Sequence, residues 1–244
     1  MSRRELAAYF SSPLAYVFIV IFLLLSGFFT FASPPFGNFF NSNEATLSFS
    51  FFAFQPWLYL VLVPPISMRL WAEEQRGGTI ELLFTMPISV TEAIIGKYLA
   101  AWAVILCALA LTFPLVITVN ILGHPDNGII VAGYVACALL SGGYLSLGCF
   151  TSTLTKNQVI SFIISVVICL LLLLAGHSSV TNFFSGWASE TVMNLISGIS
   201  VLPHFYSMEK GVLDFRDLLY YVSMIAFGLF ASGVALQSRR RAWN

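Results

Sequence analysis

The apolar residues of this chain fall in long blocks divided by short polar stretches. A membrane-crossing helix needs about 20 largely apolar residues. Six blocks meet that length: residues 14–32, 51–69, 97–121, 128–152, 157–176 and 217–238. The pattern predicts six transmembrane helices in one all-α polytopic membrane domain covering residues 1–244. Residues 178–203 are also fairly apolar but carry Ser, Thr, Asn, Gly and Glu190. They read as interfacial or re-entrant helices between the fifth and sixth spans.

Composition supports a bilayer as the solvent. The 244 residues are 58% hydrophobic and 9% charged, against about 25% charged in soluble domains. Formal net charge is zero, so nothing points to nucleic acid. Six spans put both termini on one side, and of the 11 basic residues Arg3, Arg4, Arg69, Arg76, Lys97, Lys156, Arg239, Arg240 and Arg241 share it, leaving Lys210 and Arg216 opposite. The positive-inside rule then places both termini in the cytoplasm. No small-residue cleavage site follows an h-region of signal-peptide length, and the first block reads as an uncleaved span. Ahead of it, Leu6, Tyr9 and Phe10 fit one face of an amphipathic helix with Arg3 and Arg4 toward lipid headgroups. A plain juxtamembrane anchor fits the same residues.

The spans hold no ionisable side chain near their middles, where ion-coupled transporters carry one. Energy for transport must therefore enter elsewhere. His177-Ser178-Ser179 has no partner acid or nucleophile elbow and reads as a polar span end. His124, His177 and His204 sit on separate outer segments without ligand spacing. Cys107, Cys137, Cys149 and Cys169 lie inside apolar blocks and read as free thiols. Leu140-Ser141-Gly142-Gly143-Tyr144 looks like the signature loop of ATP-binding cassettes but lies inside a span, and the chain has no Gly-x4-Gly-Lys-Ser/Thr. Gly133, Gly142, Gly143 and Gly148 with Ser141 and Ser146 instead form a small-residue face for close helix packing.

Between the second and third spans lies a charged island. It holds Arg69, Glu73, Glu74, Arg76, Glu81 and Glu92, six of the 22 charged residues of the chain (11 basic, 11 acidic). Pro64 and Pro65 remove backbone donors at its entrance and favour a kink. Gly77-Gly78 allow a tight reversal, Thr79 is placed to cap a second short helix with Glu81 in its first turn, and that helix stops before Pro87. The expected result is a helix–turn–helix with a charged tip and an apolar underside of Trp71, Leu82, Leu83 and Phe84.

Met68-Arg69-x-x-Ala72-Glu73-Glu74-x-x-x-Gly78-Thr79-x-Glu81-Leu82-Leu83-x-x-x-Pro87-Ile88-Ser89, followed by Gly96-Lys97, resembles the coupling region of ABC type-2 permeases. Glu5-Leu6-x-x-Tyr9-Phe10-x-Ser12-Pro13 and Gly211-Val212-Leu213-Asp214-x-Arg216-Asp217-Leu218 resemble the gliding-motility (GldF-like) branch. The resemblance implies a six-span half-transporter, with an N-terminal elbow helix, in the bacterial cytoplasmic membrane. It implies a coupling helix seated on separate cytoplasmic ABC ATPase subunits, which hold the ATP and Mg, with no cofactor and no catalysis in this chain. A second permease, itself or a related chain, completes a dimer whose path is lined by spans two and five.

Carried over, Arg69, Glu73, Glu74 and Arg76 are docking contacts. Gly78 makes the turn, Thr79 and Glu81 brace the return helix, and Pro64 and Pro65 form the hinge. Gly77, beside the second glycine of the turn, departs from the bulkier residue expected there. The implied activity is ATP-driven export. A rival is ATP-driven action, without transport of a solute, on an extracytoplasmic accessory protein or a membrane-embedded partner held by residues 177–216. An ATP-independent channel is disfavoured by the absent pore charges.

Overall fold

Away from water, each backbone N–H and C=O needs a partner within its own segment, which favours helices. A computed structural model of the chain describes residues 2–11, 13–32, 39, 46–80, 89–177, 180 and 198–243. Among these, the regular elements are helices. They are α1 (Ser2–Ser11), α2 (Pro13–Phe31), α3 (Gln55–Ser67), α4 (Arg69–Gly77), α5 (Val90–Ala110), α6 (Phe113–Leu122), α7 (Asn127–Leu154), α8 (Gln158–Leu174), α9 (Val201–Glu209) and α10 (Phe215–Trp243). A 3-10 turn over Phe52–Phe54 leads into α3.

Each apolar block of the sequence contains a helix, but the helices differ in reach. Among the described residues, three stretches are long and apolar enough to cross a membrane: Val90–Leu122, Asn127–Leu154 and Phe215–Ser238. Two further apolar helices, Ala15–Phe31 and Gln158–Leu174, are shorter, and α3 has 13 residues.

Local chemistry sets the boundaries. The third block begins at Val90 rather than Lys97, because Ser89 and Glu92 form a reciprocal capping box with both bonds at 3.2 Å. Asp126 accepts from the Gly128 N–H at 2.8 Å, and Asn157 accepts from the Val159 N–H at 2.9 Å. These caps start α7 and α8. Pro114 lacks an N–H, so α5 and α6 are separate helices, and the Thr112 hydroxyl at the break donates to the Leu109 carbonyl at 2.6 Å.

Helix α7 is the hub, touched by α3, α4, α5, α8, α9 and α10. Of its most apolar stretch 61% is buried within the chain, against 17% for α10, whose outward Phe215, Leu219, Val222, Phe227 and Phe230 suit contact with lipid. The small-residue face expected from the sequence is what admits these neighbours. A Cβ on Gly133 would strike the Phe52 ring at 2.5 Å, and one on Gly142 would meet the Tyr98 hydroxyl at 2.9 Å. Gly143 receives Met224 and Gly148 receives Ser67. Ser146 in turn rests on Gly228 of α10. With no strong hydrophobic drive between helices in lipid, such close approach is what holds them together.

The segment between α8 and α10 is described only in part. The expectation of interfacial or re-entrant helices over 178–203 falls largely on residues 178–179 and 181–197, outside the described residues. Within it, α9 packs on α7 and α10. The His204 Nδ1 is 2.7 Å from the Asp217 carboxylate, and its ring stacks on Tyr220 at 4.2 Å.

At the end of α9, outside the apolar blocks, burial pushes the Glu209 carboxyl up to about 7, which the neighbouring Lys210 offsets only in part. The folded value exceeds the ordinary 4.5, so the folded chain holds the extra proton between these values. Stability therefore falls as pH rises through that window and the loss is complete above it. Glu209→Gln is expected to raise stability by roughly 3 kcal/mol at pH 8, since each unit of the shift from 4.5 to about 7 is worth about 1.4 kcal/mol, and to change little near pH 4.5. Thermal unfolding in detergent at the two pH values checks this, and an equal shift at both would overturn it.

Candidate functional site

The island begins as the continuation of α3. Pro64 and Pro65 lie inside α3, and the helix runs through them. The interruption falls at Met68, whose N–H still reaches the Pro64 carbonyl at 2.9 Å. A single residue thus joins α3 to α4.

Helix α4 has two faces. Leu70, Trp71, Ala72 and Gln75 are buried, whereas Arg69, Glu73 and Arg76 are exposed. The spacing explains this, because residues three and four apart share a helix face. At the tip Gly78 adopts φ 69°, the left-handed conformation that ends a helix, and a Cβ there would meet nothing within 4 Å. Conformation rather than space therefore requires glycine at 78. Arg76 in the last turn complements the negative end of the helix. The Thr79 hydroxyl donates back to the Glu74 carbonyl at 3.4 Å, serving the end of α4. Thr79 and Ile80 are again helical. Glu81, with Leu82, Leu83 and Phe84, lies outside the described residues.

The buried face is clamped from below. Gln75 Nε2 donates to the Thr153 carbonyl at 3.0 Å and to the Ser152 carbonyl at 3.4 Å. These belong to the last four residues of α7, whose carbonyls have no partner within the helix. Thr151, Ser152 and Thr153 are fully buried there, and each hydroxyl folds back on the carbonyl three residues earlier. The island is thus hydrogen-bonded to the end of the hub helix.

The structure separates Glu74 from the other residues expected to dock. Glu74 is half-buried and pairs with the Lys97 ammonium of α5 at 2.7 Å. Lys97 also reaches Glu5 of α1 at 3.4 Å and sits 5.5 Å from the centre of the Trp71 ring. In the sequence Lys97 counts only as an orienting charge beside Gly96. Its signal was an isolated lysine at the head of an apolar block, where a cation needs a partner. Gln75 likewise carried no signal beyond its place in the polar run. Tyr9 of α1 joins the same corner: burial first, then the Glu5 carboxylate, hold its hydroxyl well above the ordinary range, with Arg69 and Glu73 also near it.

The outer surface left by these contacts is a compact charged tip, Arg69, Glu73, Arg76 and the Gly77-Gly78 turn, on a buried and hydrogen-bonded base. Through its base the tip is joined to α3, α5 and α7. A search among curated proteins finds no match. Residues 58–229, well over half of the chain and including the described part of the island, match the family model of the ABC-2 family transporter protein. The chain belongs to that family and is a membrane permease component of an ABC transporter, a class that works with ABC ATPases.

Proposed function

We propose that this chain is the permease subunit of an ATP-driven exporter of the bacterial cytoplasmic membrane, in the gliding-motility branch of its family. It has six spans with both termini cytoplasmic, and it acts as a dimer with itself or a related permease. ATP and Mg are bound and ATP is hydrolysed in a separate cytoplasmic subunit, while this chain carries no catalytic or cofactor site. The island is the coupling element. One observation carries the reading: the exposed charges of α4 stand on a face that is buried and bonded to the hub helix. A plain solvated loop needs no such base.

In this mechanism, closure of the ATPase pair presses on Arg69, Glu73 and Arg76. A partner moves an equilibrium only through its differential affinity for the two states, so these contacts must differ between the ATP-bound and ATP-free forms. Displacement of α4 passes through Met68 into α3, where Pro64 and Pro65 leave two backbone carbonyls free to adjust. It passes through Gln75 into α7. The rival reading, ATP-driven action on an outer partner, draws on residues 177–216, and no contact of the described part favours it.

Charge reversal tests the docking assignment. Glu73→Arg combined with Arg76→Glu is expected to weaken association with the co-purifying ATPase at least about tenfold, or 1.4 kcal/mol, while leaving thermal stability unchanged. Both side chains are exposed, so folding does not depend on them. Undiminished association and stimulated ATP turnover would end the assignment.

A further inference from the structure

Helix α4 hangs from α3 by the single residue Met68. A push on its tip would be spent in rotation about that residue unless other elements hold α4. One hold is the Gln75 clamp on α7. The second is Lys97, whose side chain is only 8% exposed and which bridges carboxylates from two other helices, Glu5 of α1 and Glu74 of α4.

We propose that Lys97 is a positioning residue of the coupling step: its ammonium, fixed between Glu5 and Glu74, locks the N-terminal helix and the island onto α5 so that all three shift as one body. The proposal rests on the reading of the island as the coupling element.

Three observations support the lock. A buried cation is costly to desolvate and is held in place by its partners, so the arrangement tolerates little displacement. The Trp71 ring beside it adds a favourable face for the cation and comes from the same helix as Glu74. Tyr9, one turn beyond Glu5, has the Arg69 and Glu73 charges of α4 in its surroundings. Helix α1 thus lies near the charges of the island at Tyr9 as well, while its length packs on α5.

The geometry also explains what α5 gains. It is the first of the long apolar stretches, and its head, starting at Val90, follows the island in the chain. The ion pair at Lys97 gives it a direct grip on α4 about two turns into the helix. Motion of the island thereby reaches a membrane-crossing helix without first passing through α3.

The test uses the full chain in lipid nanodiscs and again in complex with its ATPase. Lys97→Met removes the cation and leaves two carboxylates facing each other. The triple variant Lys97→Met, Glu5→Gln, Glu74→Gln removes the cluster without a stranded charge, which guards against misfolding of the single variant. Lys97→Arg keeps the charge.

Backbone hydrogen exchange is read over residues 5–11 and 69–77, with α7 as internal reference. The triple variant is expected to exchange about tenfold faster over α1, a local opening that leaves the hub protected, and Lys97→Arg to restore wild-type protection. In the complex, the ATPase concentration for half-maximal stimulation should stay unchanged, because the exposed tip is intact. Maximal stimulated turnover should fall several-fold in the triple variant and recover with arginine.

Unchanged exchange over α1 in the triple variant overturns the lock. So does a turnover equal to wild type, or an equal loss of affinity and turnover. If the wild-type chain itself binds no ATPase, the reading of the island fails instead, and the exchange measurement still decides whether Lys97 holds α1 to α4.

Discussion

Trp71→Ala is expected to destabilise the chain by about 3–5 kcal/mol, the usual cost of truncating a fully buried aromatic. Trp71 is the largest of the fully buried side chains among the described residues and the centre of the island's base. It lies beside Cys149 of α7 and Lys97 of α5. The island lies outside the apolar blocks, so water is the alternative environment for this ring, and the scale for soluble cores applies. The loss should be local in its consequences. Under the coupling role proposed for the island, stimulated ATP turnover should disappear, because the tip loses its seat. Trp71→Phe keeps most of the apolar contact and should cost about 1–2 kcal/mol. Chemical unfolding in mild detergent, with turnover measured in parallel, checks both. A Trp71→Ala chain of wild-type stability would show that the base does not hold the island.

The second large effect concerns the join between α7 and α10. A Cβ on Gly228 would lie 2.8 Å from the backbone carbon and oxygen of Ser146. Backbone cannot step aside, so Gly228→Val is expected to push the two helices apart and to cost about 3 kcal/mol, the upper end for overpacking. Gly143→Ala is the internal contrast, since its new methyl meets the flexible end of Met224. That side chain can swing away, and the cost should stay below about 1.5 kcal/mol. The Ser146 hydroxyl, 3.3 Å from the Met224 carbonyl, reports on the same contact. Thermal unfolding of both variants in one detergent gives the comparison. Equal effects would mean that α10 is free to shift along α7.

Both effects belong to features that were legible to different depths. The small residues of α7 could be read as a packing face because glycine and serine at helical spacing in an apolar block have little other use. Which neighbour each glycine receives was not legible, since Phe52, Ser67, Tyr98, Met224 and Gly228 come from four other segments. Trp71 was read as part of an apolar underside. That it would sit on a lysine from α5 follows only from the packing of α4 against that helix.

Helix ends show the same division. The Ser89-x-x-Glu92 box was present in the sequence and fixes the start of α5, seven residues before the Lys97 boundary that hydropathy alone suggested. Hydropathy fails there because Thr91 and Glu92 are polar, yet a capped first turn tolerates them. Pro64 and Pro65 marked a hinge in the sequence, whereas the structure carries α3 through them and breaks at Met68. A helix can absorb the missing donors where its neighbours hold it, and Pro64 is buried among them.

The sequence by itself determined the class of this protein. Hydropathy acts over tens of residues and does not depend on how helices meet, so the apolar blocks, the charged island and its glycine turn were all visible in one dimension. Only the tertiary structure decided which island charges face outward. Glu73 and Glu74 are adjacent and chemically alike, but α4 turns about 100° per residue, so that one reaches solvent and the other reaches Lys97. Burial of a charge depends on a partner distant in the chain, and that partner is fixed only when α1, α4 and α5 come together.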